Sequence, residues 1–166
     1  LFVGGYENLV DAKSKGLSAI VSVSAQSTLE ELMLQESRLG EIIGDVGNAA
    51  KASQRMLHFV MASGGELKIT LNHPLVTADG KMRRADELAK GDLLVRADGS
   101  LDPIADIVEY THAGRVYNVS VDSSDPKEQI VIAQGYLNGS LYYQNEGVRE
   151  LNRKLLRTSV AANFIQ

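Results

Sequence analysis

Residues 66–92 read ELKITLNHPLVTADGKMRRADELAKGD, and the first nine of them decide the fold. Leu67, Ile69 and Leu71 alternate with Glu66, Lys68 and Thr70, the period of a strand with one buried face. Thr70 therefore falls on the polar face. Pro74 disfavours helix at His73 and cannot donate to a ladder, which puts the histidine at a strand end with its side chain free for chemistry.

Upstream, RMLHFVM (55–61) alternates in the same way, and Ser63-Gly64-Gly65 separates the two runs, so a β-hairpin is expected to deliver Thr70 and His73. Downstream, short runs rich in valine and isoleucine are separated by Asp79-Gly80, Gly91-Asp92, Asp98-Gly99, Ser124-Asp125-Pro126 and Asn138-Gly139. Turn signals every ~8–12 residues indicate a compact all-β module rather than a parallel α/β sheet. The β region runs from about 55 to 145.

The flanks read differently. A short helix or strand is expected near Tyr6 to Ala12, then a strand over Leu17 to Gln26. Ser27-Thr28-Leu29-Glu30 has the spacing of a capping box, and Leu29, Leu32, Met33, Leu39, Ile42, Ile43, Val46, Ala49 and Ala50 recur at helical intervals, so an interrupted helix is expected there. Gly40, Gly44 and Gly47 each weaken it by about 1 kcal/mol. Past Asn145, Val148, Leu151, Leu155 and Val160 fall on one face and Arg149, Arg153, Lys154 and Arg157 elsewhere, an amphipathic helix. The expected division is a strand and helical segment over 1–54, the β module over 55–145 and a helix over 146–166.

Composition narrows the function. The 166 residues carry a formal charge of −4, 44% hydrophobic, 23% charged and 5% aromatic residues. Such a chain can bury a sizeable core, offers neither a basic footprint nor a stacking platform for nucleic acid, and has no run approaching the ~18 apolar residues of a membrane span. There is no cysteine, which excludes disulfides, thiolate metal sites and thiol nucleophiles. The chain begins at Leu1 without methionine, the expectation being that it is a piece of a longer polypeptide.

Thr70-x-x-His73, then DGKMRRADELAKGDLLV, then VYNVSV, then IAQGYLNGSLYYQ closing on Asn145 resembles the Hint module shared by inteins and hedgehog C-terminal domains. The resemblance covers roughly residues 55–145, and more faintly the region back to 17. It implies a mainly β, Hint-like fold acting on its own backbone without metal or cofactor, its partners being the flanking domains of its own polypeptide. Carried over, Thr70 orients the amide before an N-terminal Cys, Ser or Thr and His73 protonates its leaving nitrogen, promoting an acyl shift, a task suited to an imidazole titrating near neutrality. Asn145 is the residue that cyclises and cuts the chain at Asn145-Glu146, and Gln144 stands where the family has an assisting histidine.

Three departures follow. A nucleophile has to be a hydroxyl, and Ser22, opening SVSAQST, is a faint match to the family's first block. Gln144 donates hydrogen bonds but cannot shuttle a proton. Glu146 stands where splicing needs Cys, Ser or Thr, so ligation of flanking segments is chemically closed. His58 and His112 read as ordinary histidines, the Asp86/Glu87 and Glu30/Glu31 pairs as solvated surface, and Gly64-Gly65 as a turn without the lysine of a phosphate loop. The alternative to self-processing is a non-catalytic β scaffold connecting domains of a surface or secreted protein.

Overall fold

The computed structural model describes residues 1–6, 8–44, 53–113, 117–144, 151 and 155–156. Within them one helix, α1 (Leu9–Lys15), accompanies eleven strands: β1 (Ala19–Val23), β2 (Leu34–Gly44), β3 (Ser53–Met61), β4 (Glu66–Thr70), β5 (Pro74–Val76), β6 (Met82–Arg84), β7 (Leu93–Val95), β8 (Leu101–Ala113), β9 (Tyr117–Val121), β10 (Ile130–Ala133) and β11 (Tyr136–Gly139). The mainly β reading holds. The helix near the start is real, capped by Asn8, which accepts from the Asp11 amide, and ended by Gly16 in the left-handed region.

The strands form two sheets, ordered β6-β5-β11-β10-β1-β2-β9 and β4-β3-β8-β7. The β3–β4 hairpin forms as the alternation requires, with Leu67 and Ile69 buried and Glu66 and Lys68 exposed. Asp79-Gly80 turns β5 into β6. One core cluster gathers Leu57, Phe59, Leu67, Ile69, Leu75 and Leu94 beneath the smaller sheet. A second gathers Val23, Val76, Met82, Ile130, Leu137 and Leu156.

Two expectations are corrected. The segment after Ser27 is not helical. Ser27 Oγ donates to the Met33 carbonyl and accepts from its amide, at 2.8 and 2.9 Å, while Thr28 Oγ1 accepts from the Glu31 amide. Capping residues stabilise turns by the same bonds that start helices, and here the chain leaves the turn as β2. That strand lies between β1 and β9, and its exposure alternates from Leu34 to Gly40 with Gln35, Ser37 and Leu39 on the more buried side. Partner strands on both edges override a helical spacing made mostly of isolated apolar residues. Gly40 has a packing reason: an added Cβ would stand 2.6 Å from Ser120 Oγ, which accepts from the Glu41 amide where the β2–β9 register shifts.

The second correction concerns Asn138-Gly139, which is not a turn but the end of β11. The hairpin turn is Gln134-Gly135, both with positive φ, 54° and 92°, the conformation of a type I′ turn. Strands β1 and β2 sit inside the larger sheet beside β10 and β9. Leu151, Leu155 and Leu156 lie in turn or irregular backbone; the rest of the amphipathic segment, like Val46, Ala49 and Ala50, lies outside the described residues.

Candidate functional site

The Thr70–His73 turn is positioned from three sides. Its own backbone closes it, the His73 amide donating to the Thr70 carbonyl at 3.1 Å. The 3₁₀ turn over Ala85–Glu87 holds it from outside: the Ala85 amide donates to His73 O and the Asp86 amide to Leu71 O, at 2.8 and 2.9 Å. Thr70 Oγ1 donates to Asn72 Oδ1 at 3.0 Å, at the open side of the turn.

The third side is the β10–β11 hairpin, whose alternate residues clasp the β4 region. The side-chain amide of Gln134 accepts from the Lys68 amide and donates to the Lys68 carbonyl, satisfying backbone groups on the open edge of β4. Tyr136 Oη donates to Asp102. Asn138, 1% exposed, places Oδ1 2.6 Å from His73 Nε2. Period-two geometry puts Tyr136 and Asn138 on one face of β11, directed at the neighbouring sheet. Gly139 follows because Pro74 packs flat against it; a Cβ there would meet Pro74 Cγ at 2.8 Å.

His73 is half-buried. Burial pushes the imidazole pKa below its ordinary value, and the hydrogen bond to Asn138 only partly opposes this. At neutral pH the ring is uncharged.

The structure thus joins Thr70 and His73 in one turn and adds Asn138, which the sequence reading assigned to a turn. Gln144 ends the 3₁₀ turn Leu141–Gln144 that follows β11, while Asn145 and Glu146 lie outside the described residues. Ser22 is fully buried and shares a 2.6 Å hydrogen bond with Ser37 Oγ. It heads a cross-strand row, Ser22–Val131–Asn138–Leu75, which sets it two strands, about 10 Å, from Asn138. Buried Val131 stands between them. A signal for Asn138 existed in the sequence: YLN after Gln134-Gly135 continues the alternation of a hairpin strand.

No protein-family model matches the sequence, and no curated protein is significantly similar to it. Solved structures do match. The DnaB intein from Synechocystis sp. PCC 6803 superposes with a TM-score of 0.60 at 19% identity, over 82% of this chain and 88% of that one. The PabCDC21-1 intein gives 0.60 at 19% identity over 84% and 93%. A bacterial intein-like domain from Clostridium thermocellum gives 0.62 at 20% identity over 84% and 91%. With two sheets clasped around a Thr-x-x-His turn and this likeness along most of its length, the chain has the Hint fold of inteins.

Proposed function

We propose that this module processes its own backbone within a larger polypeptide, cutting a peptide bond without ligating the flanking segments. In this reading Thr70 orients the amide that precedes an N-terminal hydroxyl nucleophile and His73 protonates its leaving nitrogen in an acyl shift, while at the other end Asn145 cyclises onto its own carbonyl to release the segment beginning at Glu146. Gln144 polarises that carbonyl. The observation that carries the reading is the His73–Asn138 contact of 2.6 Å, which sets the imidazole of the Thr-x-x-His turn against the strand that leads to Gln144. A buried polar pair of this kind, on a Hint fold, is suited to proton transfer near neutral pH.

A time course of intact mass on the purified full chain tests it. The expected result is slow conversion to two fragments meeting at the Asn145-Glu146 bond, lost in Asn145→Ala. An unchanged mass over days in both the starting protein and Gln144→His overturns the reading and leaves a scaffold with no chemistry of its own.

A further inference from the structure

The amide group of Asn138 has its orientation settled by its neighbours. Nδ2 lies 3.0 Å from the Ala133 carbonyl and 2.9 Å from the Tyr136 carbonyl. Carbonyl oxygens only accept, so the atom facing them is the NH2 group and both of its hydrogens are used. Oδ1 is left facing His73 Nε2 at 2.6 Å. Two acceptors do not approach so closely, so Nε2 carries a proton. An uncharged imidazole has one N–H, and among the described residues nothing hydrogen-bonds to Nδ1.

We propose that Asn138 is a positioning residue for His73: it fixes the ring as the Nε2-protonated tautomer and makes Nδ1 the atom that handles protons. This rests on the self-processing reading and changes its chemistry. A neutral ring with a free Nδ1 lone pair acts first as a base. Nδ1 takes the proton of the attacking hydroxyl as the new bond to the carbonyl carbon forms. It then returns that proton to the leaving nitrogen as the C–N bond breaks. The Nε2–H stays on Asn138 Oδ1 throughout, and no other reactant is needed.

The same bonds explain why asparagine serves here. Two backbone carbonyls prevent the flip that would turn NH2 toward the imidazole and reverse the tautomer. Elsewhere, in a serine-protease triad, an asparagine that holds the wrong tautomer lowers kcat by about 10⁴-fold, the scale on which such an orientation matters.

Nitrogen-15 spectroscopy of the full chain with labelled histidines tests the assignment without requiring cleavage. The His73 signals, identified by their loss in His73→Gln among the three histidines, are expected at neutral pH to show a protonated Nε2 and an unprotonated Nδ1. A protonated Nδ1, or averaged signals from both tautomers, overturns the proposal. Asn138→Asp, which retains an acceptor, is expected to keep the tautomer, and Asn138→Leu to release it to a mixture. A folded Asn138→Leu protein that stays wholly Nε2-protonated also overturns it, and if that variant does not fold, the wild-type spectrum decides. A chain that never cuts itself but shows the fixed tautomer defeats the self-processing reading alone. A chain that cuts itself with Nδ1 protonated defeats the role of Asn138 alone.

Discussion

The Tyr136 hydroxyl donates a 2.6 Å hydrogen bond to the Asp102 carboxylate, and through it the hairpin that carries Asn138 is fastened to the start of β8. Asp102 is 2% exposed and also accepts from the amide and hydroxyl of Ser63, at 3.1 and 2.5 Å. Burial raises its pKa, and the bonds from Ser63 and Tyr136 outweigh burial and hold it below the usual carboxylate value. Tyr136→Phe is therefore expected to cost about 2 kcal/mol, the scale of a hydrogen bond to a charged group. That corresponds to roughly 4–8 °C in Tm for a chain of this size. Because the folded pKa is depressed, the stabilisation is present above the ordinary carboxylate range and lost as pH falls through the folded value. Thermal melts of both proteins at neutral and acid pH are expected to show the gap narrowing in acid.

His73 gives a second pH dependence in a different window. Its folded pKa lies below the ordinary value near 6.5, so below that value the unfolded chain binds more protons than the folded one and stability falls with pH. Above it both states are uncharged and the effect vanishes. His73→Gln is expected to flatten the stability profile from about pH 6.5 downward while leaving the carboxylate-driven loss at lower pH. Denaturant unfolding at closely spaced pH values measures this, and an unchanged slope in the variant would contradict an uncharged ring.

The parts of this protein that could be read directly were those where local pattern and final environment agree. Leu67, Ile69 and Leu71 announce β4, and Asp79-Gly80 announces the β5–β6 hairpin, because alternation and turn chemistry are local properties. Strand β2 was hidden because its conformation comes from β1 and β9 rather than from its own residues. Asn138 was hidden because Asn-Gly ordinarily marks a turn, whereas here Gly139 makes room for Pro74 and the turn falls at Gln134. Glutamine rarely takes a positive φ; at this place its side chain makes two hydrogen bonds to Lys68 that offset the strain. Contacts between residues more than sixty positions apart leave no trace in a single sequence.

Leu156 is fully buried in the second core cluster, and the amides of Leu155 and Leu156 both donate to the Gly80 carbonyl, at 2.8 and 3.1 Å. Gly80 has φ +77°, and an added Cβ would stand 1.9 Å from the Leu156 carbonyl oxygen. Gly80→Ala is expected to displace this segment, seen as faster proteolysis after residue 144, and Leu156→Ala to cost about 2–5 kcal/mol as a core truncation. A fragment released at Asn145-Glu146 would still carry Leu155 and Leu156. It is expected to stay bound, co-eluting with the module in native size-exclusion chromatography and separating only on denaturation.

Whether this Hint fold cuts its own chain is read from intact mass over time for the starting protein, Gln144→His and Asn145→Ala. Glutamine at 144 supplies no proton, so the starting protein is expected to cleave slowly. Gln144→His is expected to accelerate cleavage by up to ~100-fold, the contribution of a positioned general acid, and Asn145→Ala to abolish it, with the new fragment beginning at Glu146. A mass that stays constant over days in both the starting protein and Gln144→His means that the module does not process its own backbone.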